Sequence, residues 1–174
     1  MTASDQGADP EDGRVRAVVD TSALVSYRHD LQSLAQAGLF TALWSPWIIA
    51  ELNRVLTWHW LTRIRPHDGS AESYARCSQA SKTMMTLLFS TFKLIHPEPP
   101  YPPAWDTATD IWDQPIWAAA KLSEAQFIIS QNSRHFPPAG ADGRYVYDGI
   151  EYLTAETFMA RLNRSVEARR SERV

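Results

Sequence analysis

Short apolar runs alternate along this chain with longer segments whose apolar positions recur every three or four residues. The first run is VRAVVD, 15–20: Val15, Ala17, Val18 and Val19 predict a strand buried on both faces, and the run stops on Asp20. DLQSLAQA, 30–37, predicts a short helix that Asp30 caps and Gly38 ends, and LFTALWS, 39–45, a second strand. In SPWIIAELNRVL, 45–56, Ser45 suits an N-cap, Pro46 suits the first turn, and Ile48, Leu52, Val55 and Leu56 make one apolar face. Residues 71–92 predict a long helix, in which Tyr74, Cys77, Ser81, Met84 and Leu88 repeat in a near-heptad rhythm widened by Met85, Leu87 and Phe92. KLIH, 93–96, predicts a strand, and the five prolines of PEPPYPP, 97–103, a stiff extended connector. QPIWAAAKL, 114–122, predicts a helix with Pro115 in its first turn, and QFIIS, 126–130, another buried strand. RYVYDGI, 144–150, is turn-rich and partly extended; 154–163 predicts a last helix with Thr154 as cap.

Strands alternating with helices imply an α/β fold: a central, mainly parallel sheet with helices on both faces. The expected organisation is a disordered leader over 1–13, one domain over 14–163, and a charged tail over 164–174 that frays. In such sheets the chemistry gathers at the carboxyl ends of the strands. Asp20 ends the first strand, and Ser130, Gln131 and Asn132 end the FIIS strand.

Composition narrows the classes. At 174 residues, 44% hydrophobic and 21% charged, the chain suits one globular core. A net charge of −3 argues against a protein that holds duplex nucleic acid through sheer positive charge, though it leaves room for a basic rim around an acidic pocket. No apolar run approaches the ~20 residues of a membrane span, and MTASDQGADPEDG lacks the basic start and apolar middle of a signal peptide, so the cytoplasm is the expected compartment. Cys77 is the single cysteine, which leaves no internal disulfide and no cysteine-based zinc site; its apolar row assigns it to packing.

A buried carboxylate without a partner is costly, so Asp20 needs either a cation or a capping role. Three more acids stand out: Glu51, amid apolar residues in the 45–56 helix, and Asp110 and Asp113 in TDIWDQP at the start of the 114–122 helix. Converging carboxylates suit a hard divalent cation that keeps some of its waters, and water held there attacks a phosphodiester. Each acid also has a plain reading: Asp20 accepting N–H bonds at a turn, Glu51 pointing outward, Asp113 as an N-cap, and Asp110 as an exposed loop acid.

VVDTSALVS, SPWIIAELNRVL, DIWDQPIWAAAKLSEAQFIIS and YDGIEYLTAETFMARL, in that order over about residues 14–162, resemble the PIN-domain family, nearest its bacterial branch of type II toxin–antitoxin toxin ribonucleases (VapC-like). The resemblance implies a three-layer α/β/α sandwich and Mg²⁺- or Mn²⁺-dependent cleavage of single-stranded RNA. It places the catalytic acids on Asp20, Glu51 and Asp113 and an extra acid on Asp110, with Thr21 or Ser22 as the small hydroxyl after the first acid. The family's later T-x-D or T-x-N-x-x-D pattern falls on SQNSRHF: Asn132 sits where an Asp or Asn is found, and His135 where the final Asp often appears. Asn132 is then an uncharged metal ligand and His135 a donor to phosphate.

For single-stranded RNA, cations should face phosphates and aromatics should stack on bases. Arg54, three residues beyond Glu51, and Arg134 are the phosphate candidates; their plain reading is to neutralise the acids when no metal is bound. Among seven tryptophans, Trp112 between the two Asps is the stacking candidate. The expected partners are single-stranded RNA, an antitoxin protein and a second copy of the chain, with no membrane. The alternative is a PIN-like RNA-binding or regulatory protein whose catalysis is weak or lost with the fourth acid. A phosphoryl-transfer enzyme with Asp20 as nucleophile would show D-x-D, but Ser22 stands at the second position, and no G-x-G-x-x-G follows the first strand to bind a dinucleotide.

Overall fold

The computed structural model describes residues 13–64, 69–101 and 113–171. In chain order the elements are β1 (Arg16–Val19), α1 (Thr21–Gln36), β2 (Thr41–Trp44), α2 (Pro46–His59), a π-helical turn (Trp60–Ile64), α3 (Ala71–Phe89), β3 (Lys93–Leu94), α4 (Gln114–Leu122), β4 (Phe127–Ile129), a 3₁₀ turn (Ser133–His135), β5 (Tyr145–Tyr147), β6 (Ile150–Leu153) and α5 (Ala155–Ser171). The six strands form one sheet in the order β3-β2-β1-β4-β6-β5. Four neighbour pairs are parallel, and only the β5–β6 hairpin is antiparallel. Its two-residue turn, Asp148-Gly149, has both residues at positive φ (47° and 80°), the geometry that matches the twist of the flanking strands.

Helices cover both faces. Successive residues of a strand point to opposite sides. Phe127 of β4 packs its ring 5.7 Å from Phe158 of α5, while Ile128 shares a cavity wall with Ile116 and Trp117 of α4. α1 lies against α5 and α2, and α2 against α3. The molecule is therefore a three-layer α/β/α sandwich around a mainly parallel sheet. Ala17, Val18 and Val19 are fully buried, as expected of a central strand covered on both faces. No helix among the described residues is long and apolar enough to cross a membrane.

Several elements differ from the sequence pattern. The helix expected over 30–37 begins at Thr21, and Asp30 lies inside it rather than at its cap. The β-branched and hydroxyl residues that follow Asp20 are indifferent helix formers, yet the parallel β1–β2 connection requires a crossover, which is usually helical. The one break is at Tyr27, whose φ of −125° and ψ of 16° kink α1. In α3 the buried row is Ser73, Cys77, Ser81, Met85 and Leu88; Tyr74 and Leu87 of the expected row are more than half exposed. The two rows share Cys77, Ser81 and Leu88 and differ by one residue at each of two other turns, where either neighbour satisfies a helical period. α3 approaches α2 closely, with Ser81 Oγ donating to the Asn53 carbonyl at 3.2 Å, and at the first of those turns the smaller Ser73 is buried in place of Tyr74. α5 runs on to Ser171, past the end expected at residue 163. Leader residues 1–12, Asp110, Trp112 and residues 102–103 of the proline-rich connector lie outside the described residues.

Candidate active site at the carboxyl ends of β1 and β4

The parallel register levels the ends of β1 and β4: Val19 pairs with Ile129, and the Asp20 N–H donates to the Ile129 carbonyl at 2.9 Å. Asp20 occupies the N-cap position of α1, but its side chain caps nothing. Its carboxylate, buried with 8% exposure, accepts two hydroxyl bonds on Oδ2, from Ser22 Oγ at 2.6 Å and Ser130 Oγ at 2.8 Å. The Gln131 N–H donates to Ser22 Oγ at 2.9 Å and the Asn132 N–H to Ser130 Oγ at 3.1 Å. Each hydroxyl thus receives a backbone proton and passes its own to Asp20. That arrangement holds the Asp20 carboxylate in one orientation through hydroxyl donors on two different strands' ends.

Asp113 stands at the N-cap of α4, again without a side-chain cap bond. Its Oδ2 lies 2.6 Å from Nδ1 of His135. An ionised carboxylate only accepts, so this contact requires the proton on Nδ1. The Asn132 amide nitrogen, 3.2 Å from the same Nδ1, is then a neighbour and not a donor. Glu51 is half-buried on α2 and pairs with Arg54 at 3.7 Å. With Arg54 largely exposed, that pair contributes little to stability.

Two cavities bring these residues together. The larger, about 570 Å³, is lined by Trp47, Ala50, Glu51, Arg54, Asp113, Asn132 and His135. A small one of about 20 Å³ lies among Asp20, Asp113, Ser130, Asn132 and His135, backed by apolar side chains and Tyr152. Asp113, Asn132 and His135 belong to both. Tyr152 keeps its proton: burial first, then the nearby Asp113 charge, pushes its hydroxyl well above the usual tyrosine range.

The remaining residues singled out by sequence sit differently. Thr21 is buried and turns its hydroxyl to the Ile48 carbonyl at 3.5 Å, so it braces α1 on α2 rather than facing a substrate. Ser22 serves Asp20 and lines neither cavity. Arg134 is exposed on the 3₁₀ turn and also lines neither. Sequence reasoning placed Ser130 at a strand end where chemistry gathers but gave it no role, and did not count Trp47 as a site residue. Ser130's signal was its place at the end of an apolar strand, and Trp47's was its helical spacing from Glu51.

A second network holds the end of β4. Gln131 Nε2 donates to both Glu156 oxygens at 3.1 Å, and its Oε1 accepts from the Ala155 N–H at 3.1 Å. The Tyr27 hydroxyl, at the kink of α1, also donates to Glu156. These bonds, Tyr27's first, hold the Glu156 carboxyl down at about 2.

Asp20, Glu51, Asp113 and Asn132 offer oxygen donors alone, the chemistry of Mg²⁺ and Mn²⁺ sites. Among the described residues, no three His, Cys, Asp or Glu side chains are gathered closely enough to hold an ion. The donor set fits such a cation in chemistry, and in this conformation Asp113 is turned to His135.

No protein-family model and no curated protein matches the sequence. Among solved structures, the crystal structure of PAE2754 from Pyrobaculum aerophilum is similar, with a TM-score of 0.52 and 19% sequence identity over 86% of this chain and 90% of that one. At that identity the likeness concerns architecture: this chain shares with that protein the fold of a three-layer α/β/α sandwich.

Proposed function

We propose that this protein is a metal-dependent endoribonuclease of the PIN-domain type, cleaving single-stranded RNA as the toxin half of a toxin–antitoxin module. One observation supports the reading above others: Asp20, Glu51 and Asp113, far apart in sequence, line two cavities that share a wall at the carboxyl ends of the strands. Asp20, Asp113 and Asn132 would hold a Mg²⁺ or Mn²⁺ ion, with Glu51 reaching in from α2. When bound, that ion supplies an activated water and neutralises charge on the scissile phosphate. The chain's own residues do the rest. Ser22 and Ser130 fix the Asp20 carboxylate through Oδ2. Arg54, exposed on the cavity rim, meets the phosphate backbone. His135, whose Nδ1 is taken by Asp113, orients that carboxylate.

The test is incubation of purified protein with unstructured RNA and Mn²⁺ or Mg²⁺, beside Asp20→Asn and an EDTA control. Wild type should cleave, and the variant should lose about 100-fold or more, on the scale of other essential catalytic groups. Equal cleavage by both, or cleavage that survives EDTA, overturns the reading. The engagement of Asp113 by His135 favours one competing account, an RNA-binding or regulatory protein without turnover; RNA binding with no cleavage in any metal would establish it.

A further inference from the structure

We propose that Gln131 is a positioning residue for the Asp20 carboxylate, acting through Ser22 from the face of the sheet that α5 covers. The proposal rests on the reading of Asp20 as a ligand of a divalent cation. At Ser130 the chain is still bonded to β6, its N–H donating to the Leu153 carbonyl at 3.0 Å. The next two N–H groups donate to side-chain hydroxyls instead: Gln131 to Ser22 Oγ at 2.9 Å and Asn132 to Ser130 Oγ at 3.1 Å. Ser22 Oγ in turn donates to Asp20 Oδ2 at 2.6 Å. The direction of the Gln131 N–H therefore sets the direction of the Ser22 hydroxyl proton, and that sets the tilt of the carboxylate.

The Gln131 side chain makes that direction rigid. Its neighbours Ser130 and Asn132 line the small cavity, and by strand alternation Gln131 points the other way, toward α5 and α1. There its amide is fixed at both ends. Oε1 accepts the Ala155 N–H at 3.1 Å, and Nε2 donates to both Glu156 oxygens at 3.1 Å. A flipped amide would set its NH₂ against an N–H and its carbonyl against a carboxylate, so one orientation alone satisfies both neighbours. Ala155 opens α5, and its N–H is one of the donors a helix leaves without an intrahelical acceptor. The Tyr27 hydroxyl donates to Glu156 from the kink of α1. The bonds close a ring that runs Ser22, Gln131, Glu156, Tyr27 and back along α1 to Ser22. A tie between α5 and the sheet needs only the Gln131 side chain. This one also ends, through the same residue's backbone, on the hydroxyl that holds Asp20. Groups that orient a metal ligand in this way are worth about 10- to 100-fold in metal affinity.

The experiment titrates Mn²⁺ into the full-length chain by calorimetry, beside thermal melts. Gln131→Met keeps the length of the side chain and removes its three bonds; it should weaken Mn²⁺ binding about 10-fold. Placed on Ser22→Ala, where the route to Asp20 is already cut, the same change should alter affinity by no more than about 2-fold. A merely structural tie lowers the melting temperature and leaves Mn²⁺ affinity unchanged, and that result overturns the proposal. An undiminished further loss on the Ser22→Ala background overturns it too, because the influence then does not pass through Ser22. Where Gln131→Met does not fold, Tyr27→Phe takes its place. It removes only the hydroxyl that donates to Glu156 and should weaken Mn²⁺ binding about 3-fold; wild-type affinity in that variant then overturns the proposal. In each of these cases wild type still binds Mn²⁺ and the cation reading stands, whereas a wild type that binds none removes both.

Discussion

The Asp20 carboxyl sits where little water reaches it, and two serine hydroxyls do the hydrogen bonding that solvent does elsewhere. Removing one of them has a definite expected cost. Ser130→Ala deletes a hydrogen bond to a charged, buried group, worth about 1.5–3 kcal/mol, and loosens the orientation of the proposed ligand. Mn²⁺ affinity by calorimetry should fall about 10-fold, with a lowered melting temperature; unchanged affinity would show that Asp20 needs no such bracing. Asp20 itself was legible because an apolar strand ended on a carboxylate. Ser130's position at a strand end was legible, but its bond to Asp20 was not, since the two residues are 110 positions apart and meet only through the parallel register of β1 and β4. The cap readings of Asp20 and Asp113, open from sequence, are excluded by geometry: neither side chain caps its helix.

Among the elements, α2 followed its sequence signals most closely. Ser45 Oγ accepts the Ile48 N–H at 3.3 Å, and Pro46 occupies the first turn. Ser45→Ala should cost about 1 kcal/mol, seen as a fall of roughly 2–4 °C in melting temperature for a chain of this size. Because α2 carries Glu51 and Arg54 to the cavity wall, loss of the cap should also weaken the RNA binding proposed for this site; an unchanged melting curve would mean that the cap bond is redundant. α1 was misjudged for a physical reason: local propensity around Thr21–Ser26 is weak, and what makes the segment helical is the need to cross from β1 to its parallel neighbour β2. The β5–β6 hairpin lay in the turn-rich stretch because Asp-Gly adopts positive φ readily at both positions.

On the scale of the whole molecule, one buried acid ties the sheet to its helical layer. Glu151, on β6 between β4 and β5, is only 3% exposed. It accepts paired bonds from Arg144, just before β5, at 3.1 and 2.5 Å, and from Arg161 of α5 at 2.6 and 2.9 Å. Arg144's bonds first, then Arg161's, outweigh burial and hold its carboxyl at about 2 against an ordinary 4.5. A depressed folded value means stability that is fully present above about pH 4.5 and is lost as pH falls toward 2; the amount is on the order of 3 kcal/mol. Urea melts across that window should show the loss in wild type. Glu151→Gln should lose about 3–5 kcal/mol at neutral pH, where two cations face each other unpaired, and should show a flatter acid profile. Equal acid slopes would place the sensitivity elsewhere. The sandwich itself was readable from the alternation of strands and helices, whereas the Glu151 clamp was not, because it joins β6 to a loop and a helix brought together only by the fold. The interior position of β1 has a further consequence during synthesis. A nascent chain that has emerged through α4 already carries Asp20, Glu51 and Asp113, yet it lacks β4, Ser130, Asn132 and His135. The two cavities that bring these side chains together therefore form only after the chain through His135 has been made.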